Sequence, residues 1–168
     1  MRRALLTSAG CALLAGCGGA AHNSTTSTVP KSTVTTPNAN AQLEAAVRKA
    51  IDEEHSLSVE VLSTNRLPAN QAVIGGPALA VLHHSIVERQ KEGVRVRVLS
   101  ERFRIVGIHL DPSYTDATAV VLEDQSVQLT YLNGKPRGKP STAHERVRLE
   151  LHRVGEAERF LVWKVTLL

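Results

Sequence analysis

The chain has 168 residues, 42% hydrophobic and 21% charged, with a formal charge of +4, which suits one domain with its own core. Lysine and arginine are spread along the chain and aromatic residues make up only 3% of it, so base-stacking nucleic-acid binders are excluded. Cys11 and Cys17 are the only cysteines. Both lie near the start, so no disulfide framework or cysteine-rich metal site can form further along.

In chain order, Met1-Arg2-Arg3 is a short cationic start, and Ala4 to Ala15 is an uncharged run rich in Ala and Leu. This is the pattern of an export signal. A membrane-spanning helix wants about 20 mostly apolar residues, whereas this run, taken on to Ala21 to reach that length, carries Thr7, Ser8 and several glycines. It ends in Leu14-Ala15-Gly16-Cys17. Here the sequence resembles bacterial lipoprotein precursors, whose lipobox is an aliphatic residue, two small residues and a cysteine. The resemblance implies cleavage between Gly16 and Cys17, a diacylglycerol thioether on Cys17 and acylation of the new amino group. It also implies export, with the chain held at the outer face of the bacterial cytoplasmic membrane or at the outer membrane. Cys11 is the poorer site, because Ser8 stands where the aliphatic residue belongs. Each buried methylene contributes roughly 0.8 kcal/mol, so two or three chains on one cysteine hold permanently where one would not. Losing Arg2 and Arg3 with residues 1–16 lowers the formal charge from +4 to +2.

Residues 17–40 read as a tether. Ser24-Thr25-Thr26-Ser27-Thr28, Thr33, Thr35 and Thr36 are interrupted by Pro30 and Pro37, with almost no charge and no apolar periodicity. Such a segment cannot bury enough surface to offset its ordering entropy.

Residues 41–168 read as the folded domain. Leu43, Val47, Ala50 and Ile51 predict a helix from Ala41 to His55, capped by Asn38 or Asn40. Leu57, Val59 and Val61 fit either a short strand or a continuation of that helix, and Ser63 to Asn70 reads as a loop. Gly75-Gly76-Pro77 opens a second helix, Pro77 to Glu92, with Gly93 at its C-terminal cap. From Val94 the period becomes two. Val94-Val96-Val98, Phe103-Ile105, Ala117–Leu122, Val127-Leu129-Tyr131, Val147-Leu149-Leu151 and Leu161-Trp163-Val165-Leu167 alternate with polar residues as half-buried antiparallel strands do. Asp111-Pro112 and Gly155-Glu156 mark turns, and Asn133-Gly134 opens a basic loop. The expected class is α+β: two or three N-terminal helices packed on a curved, about four-stranded antiparallel sheet. A third helix could come only from Leu57–Val73.

The helix from Pro77 to Gly93, the valine-rich strand after it and the closing Val147–Leu151 and Phe160–Val165 strands resemble the nuclear-transport-factor-2-like, cystatin-related cone superfamily. That resemblance implies a sheet wrapped around a helix-lined interior. Enzymes of this fold, such as polyketide cyclases and ketosteroid isomerases, place Asp, His or Tyr in an apolar pocket to move a proton. Their motifs do not map onto this chain.

Candidate chemistry is sparse. His83 falls on the apolar stripe of the second helix, as a hydrogen-bonded histidine at the helix–sheet edge or as a group facing the interior, with His109, Asp116 or Tyr131 as its only conceivable proton-transfer partners. Adjacent His83 and His84 point about 100° apart on a helix and cannot chelate one ion as a pair. His144 and His152 share parity with the polar face of their strand. No HExxH, CxxC or phosphate-cradling glycine loop occurs, so no metal or cofactor is expected. Arg95, Arg97, Arg102, Arg104, Arg146 and Arg148 alternate onto one sheet face, and Lys135, Arg137 and Lys139 occupy the basic loop. They suit a solvated, salt-bridged face with Glu101, Glu150 and Glu158 as cross-strand partners, or else an acidic partner such as anionic lipid headgroups or a cell-wall polymer. The sequence therefore reads as a membrane-anchored envelope lipoprotein whose non-catalytic domain binds an envelope protein or a small apolar ligand, with no nucleic-acid partner. The alternatives are a cyclase- or isomerase-type enzyme using His83, and a structural accessory of an envelope complex.

Overall fold

A computed structural model describes residues 37–69, 72–155 and 159–168. The lipobox, the cleavage site at Gly16 and Cys17, and the tether as far as residue 36 lie outside the described residues. What is described is α+β: α1 (Pro37–Thr64), α2 (Gly76–Lys91), β1 (Val94–Leu110), β2 (Asp116–Tyr131), β3 (Ser141–Val154) and β4 (Arg159–Leu167). The strands form one open sheet in the order β1-β2-β3-β4, each antiparallel to its neighbour. No described helix is long and apolar enough to cross a membrane.

Helix α1 begins earlier and runs further than the periodicity marks. Proline is tolerated in a first turn, which lets the helix start at Pro37. At the other end Leu57 and Val61, one turn apart, are both buried, so this piece continues the helix and is not a strand. Asn65 then takes a positive φ of 54° and its N–H donates to the Val61 carbonyl at 2.9 Å, which stops the helix. No third helix forms among the described residues. Instead Ile74 bridges in parallel to Val162 and extends the sheet briefly beside β4.

The helices cover one sheet face. Leu43, Val47, Ile51 and Val61 of α1 and Ala78 and Ile86 of α2 join Val121, Leu149, Leu151, Phe160 and Val162 in one core. Ala117 and Ala119 are small enough to let helical backbone come close, and both are buried. β1 carries two bulges against β2, between Val98 and Ser100 and between Ile105 and Gly107. Each inserts an extra residue and reverses the inward parity. Val94 and Val96 face inward on even numbers, Phe103 and Ile105 on odd numbers, and Ile108 and Leu110 on even numbers again.

Candidate functional site

The apolar stripe of α1 runs Leu43, Val47, Ala50, Leu57, Val61. The position that completes it, between Ala50 and Leu57, is Glu54. Its carboxylate accepts a hydrogen bond from Ser58 Oγ at 2.7 Å, one turn on. The neighbouring His55 lies face to face with Phe103 of β1, centroids 4.2 Å apart and 16° from parallel, and its Nε2 is 3.3 Å from Glu101 Oε1. Gln125 Nε2 donates to the same Glu101 oxygen at 3.0 Å. In the next row of the sheet Glu123 stands between Phe103 and Glu145.

A helix stripe and a sheet face that are apolar elsewhere thus meet here through carboxylates and one imidazole. Burial pushes the Glu54 carboxyl above its ordinary range, partly offset by the Ser58 hydrogen bond. Burial also raises Glu123; His55 opposes this, while Glu54, Glu145 and Glu101 add to it. Burial is thus the main cause at both carboxyls, and neighbouring carboxylates add to it at Glu123. Among the described residues, no group of three or more His, Cys, Asp or Glu side chains is arranged to hold a metal ion.

The raised pKa values have a stability consequence with a definite sign. A carboxyl whose folded pKa exceeds its unfolded value favours the fold while protonated, and that contribution is lost as pH rises through the folded pKa. Glu54→Gln is thus expected to match wild type near pH 4.5, the ordinary carboxyl value, and to exceed it increasingly above. The gain should reach roughly 1 kcal/mol at pH 7.5, the order of the cost of burying an incompletely compensated polar group. Urea midpoints across that pH series test it, and a variant less stable than wild type at pH 7.5 would refute the assignment.

The residues singled out from sequence do not converge. His83 is exposed: α2 buries Ala78 and Ile86, so the helix is rotated to leave His83 and His84 toward solvent. It shares a shallow depression with Glu88, whose carboxylate is held by Lys91 Nζ at 2.8 Å. His109 follows the second bulge of β1 and lies exposed on the face away from the helices. Tyr131, at the far end of β2, is half exposed with the Arg137 guanidinium 5.9 Å above its ring. Asp116 pairs with His152 across the sheet, and His144 Nδ1 is 2.6 Å from Asp124.

The arginines do converge. The first bulge keeps Arg102 and Arg104 on the outer face with Arg95 and Arg97 despite their change of parity, and Arg146 and Arg148 of β3 join them there. The acids of that face are already engaged. Asp116 is bound to His152, Asp124 to His144, and Glu150 to Lys164 at 2.9 Å, each directly across strands. Among the described residues none of the six outer-face arginines has an ion pair. In the basic loop, Arg137 is taken by Glu92 at 2.7 Å, whereas Lys135 and Lys139 are exposed beside the same end of β2.

No family model matches the chain. No curated protein matches it either. Among solved structures it is similar to the intermembrane space region of the chloroplast protein ARC6, with a TM-score of 0.58 at 11% sequence identity, covering 74% of this chain and 95% of that one. At that identity the likeness concerns the fold alone.

Proposed function

We propose that the chain is a bacterial envelope lipoprotein, anchored through acyl groups on Cys17, whose α+β domain is a non-catalytic module binding an anionic partner through its outer sheet face. One observation carries the binding assignment: unpaired arginines gather on a face whose acids already have histidine and lysine as partners. The dispersal of His83, His109 and Tyr131 over three separate places supports a binding role over a proton-transfer one. The cone resemblance is supported by α1 and α2 lying on one face of an antiparallel sheet that follows α2 directly in sequence.

The anchor rests on Leu14-Ala15-Gly16-Cys17 behind the Arg2-Arg3 start. Cells expressing the chain should incorporate an alkyne-tagged fatty acid into wild type and not into Cys17→Ser. The wild-type chain should fractionate with membranes and begin at Cys17 by mass spectrometry. An unmodified Cys17, or residues 1–16 still attached, would refute the anchor. Loss of outer-face arginines with no loss of affinity for any polyanion would refute the binding face.

A further inference from the structure

The outer face is amphipathic, not simply cationic, and this selects among anionic partners. At each β1 bulge the inserted residue is aliphatic and turned outward: Leu99 is 47% exposed and Val106 is 49% exposed. They flank Arg102 and Arg104. Arg104 and Arg146 occupy one row of the sheet, separated by Leu122 of β2, so their Cα atoms stand about 10 Å apart at ordinary strand spacing. A hydrated polyanion in solution would pair with the guanidinium groups and leave Leu99 and Val106 in water. The interface of an anionic bilayer meets both needs. Its phosphates take planar guanidinium groups in paired hydrogen bonds, and its upper acyl region takes the aliphatic side chains.

We infer that the outer face of β1–β3, through Arg102, Arg104, Arg146 and Arg148 with Leu99 and Val106, lies against the headgroups of an anionic lipid bilayer. The inference rests on the binding face assigned above and names its partner. It is independent of Cys17, which would only hold the domain within reach. Contact is short in range, because charges are screened over about 8 Å at physiological ionic strength. The face therefore binds by touching the surface and not by long-range attraction.

The test uses the full chain carrying Cys17→Ser, so that acyl groups do not mask the readout. Co-sedimentation would be measured with phosphatidylglycerol vesicles and phosphatidylcholine vesicles, and inorganic polyphosphate serves as the soluble polyanion. The parent chain should bind phosphatidylglycerol vesicles, and R102Q/R104Q/R146Q/R148Q should bind them at least roughly tenfold more weakly, as expected when surface cations are removed. L99S/V106S should also lose several-fold on vesicles while leaving any polyphosphate binding unchanged. Thermal melts confirm that these exposed substitutions leave the fold intact. If L99S/V106S binds vesicles as the parent does and polyphosphate competes fully, the partner is a soluble polyanion and the bilayer inference fails while the binding face stands. If the quadruple arginine variant matches its parent on every surface, both fail.

Discussion

Asn65→Ala is expected to destabilise the domain by about 3 kcal/mol, the sum of a lost set of buried hydrogen bonds and a residue forced into the left-handed region. Asn65 is buried at 4% exposure and has a φ of 54°. Its amide Nδ2 donates to the Val94 carbonyl, its Oδ1 accepts from Arg89 Nε at 2.7 Å, and its own carbonyl accepts from Gln90 Nε2 at 2.8 Å. One side chain therefore ties the end of α1 to α2 and to the first residue of β1. Arg89 depends on it. Burial holds the Arg89 guanidinium below its ordinary pKa, and its Nη2 is already buried without a partner. Removing the Asn65 oxygen would leave a second buried donor unsatisfied. Asn65→Gly separates the two contributions, since glycine accepts the backbone conformation and loses only the side-chain bonds. It should cost about 1 kcal/mol less than alanine. Urea unfolding of the three proteins measures this, and an alanine variant within about 0.5 kcal/mol of wild type would show that Asn65 is not the junction described.

Asn65 also illustrates what was legible in the sequence. The class, the second helix, Gly93 at its end and the strand positions follow from periods of 3.6 and 2 together with turn residues, because those patterns are dictated by burial of one face. The length of α1 did not follow. Leu57, Val59 and Val61 carry both periods at once, and only Asn65, which tolerates a positive φ, signals where the helix stops. A helix ending at His55 leaves Glu54 in its last turn, whereas in the longer helix Glu54 lies on the apolar stripe between Ala50 and Leu57. His55 is no terminal residue of that helix: it stacks on Phe103. Its partner Glu101, expected among the arginines of the outer face, is turned inward by the bulge after Val98, and Glu158 lies outside the described residues. The signal was present: Val94, Val96 and Val98 are even-numbered and Phe103 and Ile105 odd-numbered, which one regular strand cannot accommodate with all of them inward. His83 departs from its expected place for a different reason. On a short helix rich in small and apolar residues, a stripe drawn through Leu79, Leu82, His83 and Ile86 and one drawn through Ala78, Leu82 and Ile86 differ by a modest rotation. Packing against β4 and β1 decides between them.

The bulges also connect fold to function. Without the first, Arg102 and Arg104 would point toward the helices and β1 would bury two cations. Without the second, His109 would do so. The insertions at Leu99 and Val106 preserve an inward apolar row and an outward cationic one along a single long strand, and the inserted residues themselves supply the aliphatic part of the outer face.

The counterpart of Asn65 at the other end of the α1–α2 connection is Gly76, and Gly76→Ala should cost about 3–4 kcal/mol. Gly76 has a φ of +48°, and a Cβ there would fall 2.5 Å from Trp163 Cε2 and 2.6 Å from Trp163 Cδ2. The indole therefore lies directly on the backbone that opens α2. It is aimed there by the bulge in β4, where Glu150 pairs with Lys164 and Leu151 with Val162, leaving Trp163 as the extra residue. His152 meets the same ring edge-on, with centroids 5.0 Å apart. Gly75 differs. Its φ of −153° is extended, and its Cβ would approach the flexible Leu161 Cδ1 at 3.1 Å, so Gly75→Ala should cost under about 1 kcal/mol. The decisive comparison is a double-mutant cycle. If the steric clash with Trp163 supplies most of the loss, Gly76→Ala in a Trp163→Ala background should cost only the conformational part, about 1 kcal/mol, giving a coupling near 2 kcal/mol. Chemical denaturation of the four proteins yields that coupling. Additive losses would mean that the indole does not rest on Gly76, and the placement of α2 against β4 would then need another cause.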